Sequence, residues 1–132
     1  MQSLYSPEIR FADLDTMGHV NNAVYLSYCE QARIQFFREL INGKWDWKEH
    51  GILVARNEMN YARPIHLNDK LVIKTWCSHI GTKSFTLSCE FKVGDDVCST
   101  GASVLVSFNH NTQKSDVIPE LWRSKLTDAL SQ

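Results

Sequence analysis

Arg10-Phe11-Ala12-Asp13-Leu14-Asp15-Thr16-Met17-Gly18-His19-Val20-Asn21-Asn22-Ala23-Val24-Tyr25-Leu26-Ser27-Tyr28 runs from a loop into a helix. Its first half, from Asp13 to His19, is a polar loop. Its second half opens the one strong helix. Tyr25, Cys29, Ala32, Phe36 and Leu40 recur at steps of four and three, the apolar stripe of an amphipathic helix, and Leu26 and Phe37 widen it. Asn21 or Asn22 can cap its start, because an Asn side chain accepts from the unpaired first-turn amides. Asn42-Gly43 supplies the stop, with the glycine suited to the left-handed position. A helix of this extent is about five turns long, near 30 Å.

Before the loop, Glu8 to Ala12 reads as a first short strand. Beyond the helix the chain is mostly strand. Ile52 to Pro64 is extended, with an irregular part around Arg56-Asn57-Glu58, and Lys70 to His79 is rich in β-formers. Phe85, Leu87, Cys89, Phe91 and Val93 alternate with Thr86, Ser88, Glu90 and Lys92, as in a half-buried strand. Gly94-Asp95-Asp96, Ile80-Gly81-Thr82-Lys83 and Asn109-His110-Asn111-Thr112 are turns. Val97 to Phe108 is a long strand. Ser99, Gly101, Ser103 and Ser107 read as its outer positions, with Val104, Val106 and Phe108 on the other parity. Pro119 opens a short C-terminal helix through Leu130.

One long helix followed by a run of antiparallel strands is an α+β pattern. A curved antiparallel sheet wrapped around one long central helix fits it. One helix cannot cover two faces of a sheet, so the small residues of the last long strand suggest contact with a second subunit.

The 132 residues are one domain's worth, expected to span 1–132. Apolar residues make up 43% and charged residues 22%, which excludes a disordered or fibrous chain. The net charge of −1 and the lack of a basic run argue against nucleic acid or an anionic membrane as partner. Apolar stretches are too short for a transmembrane helix, and Met1 to Pro7 lacks the parts of a signal peptide, so the expected address is the cytoplasm. Cys29, Cys77, Cys89 and Cys98 show no Cys-x-x-Cys spacing and read as free, buried thiols. His19, His50, His66, His79 and His110 are scattered without metal-ligand spacing, so neither metal nor cofactor is expected.

The quoted stretch also places carboxylates and a flexible glycine just before a helix start. Unpaired N–H groups and partial positive charge gather there, and such a place stabilises an anion or a developing oxyanion. A nearby aspartate can act as base or nucleophile. The same residues also suit a purely structural cap.

Asp-x-Asp-x-x-Gly-His-Val-Asn-Asn-x-x-Tyr resembles the hot-dog-fold thioesterases of the 4-hydroxybenzoyl-CoA thioesterase class. The resemblance extends through Glu30-Gln31-Ala32-Arg33, Asn60-Tyr61-Ala62-Arg63-Pro64-Ile65 with Asn68-Asp69, and Gly81-Thr82-Lys83-Ser84-Phe85. It covers roughly residues 8 to 108. It implies a single hot-dog domain that hydrolyses an acyl-CoA to free acid and CoA, assembled as a homodimer or homotetramer. Asp15 would be the catalytic carboxylate, attacking the thioester or activating water. The backbone N–H of Asn22 would donate to the thioester carbonyl, and Gly18 would let the loop turn near the substrate. His19 and Asn21 accompany the Asp in the motif, His19 as a loop-ordering residue and Asn21 as a helix cap if not more directly. Tyr25, Arg63, Lys83 and Glu58 are the substrate-side candidates. Arg63 and Lys83 read either as cations for CoA phosphates or as exposed solvated charge, and Glu58 either as a second acid across a subunit interface or, the better fit, as a solvated strand residue. Asp13 reads as a loop or capping carboxylate, and Cys29 sits too deep in the helix to act beside Asn22.

Two other functions compete. An enoyl-thioester hydratase or dehydratase would use His19 with Asp15 as an acid/base pair. A non-catalytic acyl-ligand binder would need no carboxylate at Asp15. A serine-hydrolase design is absent, because no Gly-x-Ser-x-Gly occurs.

Overall fold

The computed structural model describes residues 1–130. Helix α1 (Asn22–Ile41) forms where the stripe places it. It buries Tyr25, Tyr28, Cys29, Ala32, Phe36, Phe37, Leu40 and Ile41, whereas Leu26 faces outward. The helix ends at Asn42, which itself takes the left-handed conformation (φ 47°) expected of Gly43. Asparagine tolerates that region because its short polar side chain can bond locally.

Six strands surround α1: β1 (Ser3–Tyr5), β2 (His50–Tyr61), β3 (Leu71–Ile80), β4 (Ser84–Val93), β5 (Asp96–Asn109) and β6 (Lys114–Ser115). Their order is β1-β3-β4-β5-β2, all antiparallel, with the short β6 beside the end of β5. Helix α2 (Glu120–Leu130) follows Pro119 and closes one end with Trp122, Leu126 and Ala129. This antiparallel sheet around a long central helix is the hot-dog architecture. Among the described residues no helix is long and apolar enough to cross a membrane.

Between α1 and the sheet lie two apolar clusters. One gathers Phe36, Phe37, Leu40, Phe85, Leu105, Trp122 and Leu126; the other gathers Val20, Tyr25, Tyr28, Ile65, Ile73 and Phe91. Phe36, Phe85 and Phe91 are fully buried, each stabilising the fold by about 1.5–3 kcal/mol.

Three expectations are corrected. Glu8 to Ala12 is not a strand. The Asp13 carboxylate accepts from the Arg10 amide (3.0 Å) and curls Phe11–Asp13 into a single 3-10 turn, so the first strand is Ser3–Tyr5. The irregular part of β2 lies one step earlier than Arg56, as a bulge between Val54 and Arg56. The faces of β5 are reversed: Ser99, Ser103 and Ser107 point inward with Leu105, and Val104, Val106 and Phe108 form the half-buried outer face. The buried hydroxyls have acceptors: Ser99 donates to the Asn60 carbonyl (2.6 Å), Ser103 to Asn57 Oδ1 (2.6 Å) and Ser107 to the Val117 carbonyl (3.3 Å). A hydroxyl satisfied in this way can lie in a core at little cost. Gly101 on the same face leaves room for Met59, whose Sδ would sit 2.4 Å from a Cβ placed there.

Candidate active site

Asp13 anchors the loop. It is almost fully buried, and its Oδ2 accepts from the Tyr28 hydroxyl of α1 (2.6 Å) and from the Arg10 amide. Oδ1 takes the Arg10 guanidinium (3.0 Å), and the Asp13 carbonyl accepts from the Asn21 amide (2.9 Å). Burial pushes this carboxyl up, but the bonds from Tyr28 and Arg10 outweigh it and hold Asp13 below the usual carboxylate range. The Tyr28 hydroxyl is correspondingly pushed up by burial and by Asp13. Asp13 thus fills the structural role read for it.

Asp15, two residues on, points the other way. Its Oδ1 accepts from the amides of Met17 (2.9 Å) and His19 (3.1 Å), and among the described residues Oδ2 has no donor. The loop closes on itself through Asp15 N–H to the His19 carbonyl (2.7 Å) and Gly18 N–H to the Asp15 carbonyl (3.1 Å). Gly18 has φ +80°, and a Cβ there would meet nothing within 4 Å, so glycine serves the backbone twist and not a steric need. The loop is pinned to the following segment. Leu14 bridges to Val20, Val20 donates to the Ile65 carbonyl (2.8 Å), and the His19 and His66 rings meet edge to face at 5.1 Å.

Asn21 caps α1, its Oδ1 accepting from the Ala23 amide (3.0 Å). Asn22 is therefore the first helical residue. Its N–H has no intrahelical acceptor and, among the described residues, no other partner. Its carbonyl accepts from the Tyr61 hydroxyl (3.2 Å).

These groups share one recess of about 200 Å³, lined by Asp15, His19, Val20, Asn22, Tyr25, Tyr61, Ala62, Arg63 and Pro64. Tyr25 forms its inner wall, stacked on Phe91 (5.1 Å) and met edge-on by Tyr61 (4.9 Å). Burial, with smaller contributions from Cys98 and Tyr61, pushes the Tyr25 phenol up to about 12, so it stays neutral. Arg63 sits at the rim in an exposed ion pair with Asp96 (3.1 Å).

Of the residues read from the sequence, Asp15, His19, Asn22, Tyr25 and Arg63 come together here. Gly18 and Asn21 shape the site from behind. Lys83 and Glu58 lie elsewhere in this chain. Lys83 is in the β3–β4 turn, at the sheet end opposite Tyr61, and Glu58 is exposed on β2 and paired with Arg56 (3.1 Å). Among the described residues no group of three His, Cys, Asp or Glu is placed to hold a metal ion.

The loop and the first turn of α1 thus bring Asp15 and Asn22 to one recess at the edge of a wrapped sheet. The family model of the thioesterase-like superfamily matches residues 9–126. The chain belongs to the thioesterase-like superfamily. Relatives in or near it include the long-chain acyl-CoA thioesterase FadM of Escherichia coli K12, 30% identical over 123 residues, 90% of this chain and 92% of that one. The uncharacterized protein YsmA of Bacillus subtilis 168 is 31% identical over 81% of this chain and 73% of its own. A thioesterase from Thermus thermophilus, solved with coenzyme A and Zn, is 31% identical with a TM-score of 0.86, covering 98% and 95% of the two chains.

Within this superfamily member, Tyr61, Ala62 and Pro64 enter the sequence reading only as part of a resembling segment. The bond from Tyr61 to Asn22 has no local sequence signal, because it joins residues 39 apart.

Proposed function

We propose that this protein hydrolyses acyl-CoA thioesters to a free acid and CoA, as an enzyme of the 4-hydroxybenzoyl-CoA thioesterase class. The observation that carries the reading is the shared recess: Asp15, its carboxylate held through Oδ1 and open at Oδ2, lines it together with Asn22, whose N–H has no partner among the described residues. A thioester carbonyl oxygen received by that amide at the helix start gains stabilisation as negative charge develops on it. Asp15 Oδ2 then either attacks the carbonyl carbon, expelling the CoA thiolate and leaving an acyl-enzyme anhydride for water to cleave, or draws a proton from an attacking water. Arg63 at the rim is the cation for a CoA phosphate.

Assembly is part of the proposal. Strand β2 is a sheet edge twelve residues long, with Leu53 and Val54 exposed, and a groove of about 630 Å³ lies open between it and α1. An exposed apolar edge is a surface that natural proteins cover. A second copy of the chain is its proposed cover, giving a homodimer or a homotetramer.

Thiol release from a panel of aromatic, short-chain and long-chain acyl-CoA and enoyl-CoA substrates tests the reading. Release from at least one class supports it. Hydration of enoyl-CoA without thiol release supports a hydratase instead, and binding without turnover of any thioester supports a non-catalytic module; either overturns it.

A further inference from the structure

Two sulfurs that this reaction does not use face each other in the core. Cys29 on α1 and Cys89 on β4 have their Sγ atoms 3.8 Å apart. Each is buried, and neither lines the recess around Asp15. Cys77 and Cys98 are differently placed, their thiols lying near the carbonyls of His79 (3.6 Å) and Asp96 (3.9 Å) on their own strands.

A disulfide needs its sulfurs at about 2.05 Å, so the gap to close is about 1.8 Å. Rotation of one thiol can supply most of that where there is space. Gly101, paired with Cys89 across the sheet, spares the Cys89 sulfur a close neighbour: a Cβ at position 101 would lie 3.2 Å from it, and the space beside the glycine holds only the flexible end of Met59 and the Glu58 carbonyl. The two thiols also differ. The contact with the Cys89 thiol and the charge of Arg33, one turn along α1, draw Cys29 down, while the same contact and burial push Cys89 up. Cys29 is thus the better nucleophile, because the thiolate is the attacking form.

We propose that Cys29 and Cys89 form an oxidisable dithiol, which hydrogen peroxide converts to an intramolecular disulfide joining α1 to β4. The Cys29 sulfur attacks one peroxide oxygen, the O–O bond breaks, and the departing hydroxide takes the thiol proton as water. Cys29 is then a sulfenic acid. The Cys89 sulfur attacks it, the S–O bond breaks, and a second water leaves with the Cys89 proton. Two thiols are oxidised by two electrons, and the peroxide is reduced to two waters.

The test uses the reduced, folded, full-length chain. It is exposed to hydrogen peroxide, denatured, alkylated, and examined by intact mass and non-reducing peptide mapping. The expected result is a loss of about 2 Da, a link between the peptides holding Cys29 and Cys89, alkylated Cys77 and Cys98, and reversal by dithiothreitol. Cys29→Ser should leave Cys89 fully alkylated after the same exposure. A Cys77→Ser/Cys98→Ser double variant should still form the link, which keeps the test decisive if Cys29→Ser does not fold. Four unreacted thiols, oxygen added to Cys29 without a link, links only between chains, or equal oxidation of Cys77 and Cys98 would each overturn the proposal.

Discussion

Replacing Asn22 with proline removes one hydrogen-bond donor from the recess and leaves the helix able to form. Asn22 is the first residue of α1, a position where proline is favoured because its missing N–H would have no helical partner. Proline also restricts the residue before it to extended conformations. Asn21 is already extended, with φ −61° and a ψ of 136° that suits a following proline. The bond from Tyr61 goes to the Asn22 carbonyl, which proline keeps. Asn22→Ala is the control: it keeps the N–H and removes a side chain that caps nothing. If the amide is the oxyanion donor, Asn22→Pro lowers kcat by about 100- to 1000-fold, or about 2.7–4 kcal/mol of transition-state stabilisation. Asn22→Ala stays within a few-fold of the parent. Thiol release at saturating substrate measures both, with thermal melts and sizing to establish that each variant is folded and assembled. Equal damage from both substitutions in folded protein would refute the argument by implicating the side chain. So would a proline variant that raises KM and keeps kcat, since the ring would then merely obstruct the recess. The Gly18 amide is no substitute donor, because it is already bonded to the Asp15 carbonyl.

Asp15→Asn keeps an oxygen for the Met17 and His19 amides and removes the charge, so turnover should fall at least about 100-fold with the melting temperature nearly unchanged; near-parental turnover would contradict the assignment. Tyr28→Phe removes the bond to Asp13 and should cost about 1.5–3 kcal/mol in denaturant unfolding. Asp13 titrates lower in the folded than in the unfolded chain. Its contribution is therefore full above the ordinary carboxylate value of 3.8 and is lost as pH falls through the folded value, a drop that melts of Asp13→Asn should lack. Light scattering at micromolar concentration should give at least a dimer, and a monomer would remove the proposed cover of β2.

The parts of the fold that sequence exposes are those written in side-chain period. The α1 stripe and the alternation of Phe85, Leu87, Cys89 and Phe91 each repeat one face against one core, and both elements form where that repeat places them. The misreadings have a common cause. Ser99, Ser103 and Ser107 look like a solvent face, yet each finds an acceptor across the chain, and polarity alone does not report that a hydroxyl is satisfied. Leu105, on the same parity and fully buried, is the residue that marks the inner face. The turn at Phe11–Asp13 likewise depends on where one carboxylate is anchored, by a tyrosine fifteen residues away. The recess is legible in sequence only as a local motif. Its wall at Tyr61, Ala62 and Pro64 comes from the far end of β2, brought there by a strand pairing that no short window contains.

That pairing bears on how the chain is made. Strand β2 ends at Tyr61, but its partner β5 does not begin until Asp96. During synthesis α1 and β2 leave the ribosome before β5, and β2 must wait, with Leu53 and Val54 unpaired, while the β3–β4–β5 meander is still being translated. The β3–β4 and β4–β5 turns are short and local, so those pairings close over far fewer residues than the pairing of β2 with β5. Slowed translation at any codon beyond Tyr61 would lengthen that wait, and the yield of soluble protein should fall with it.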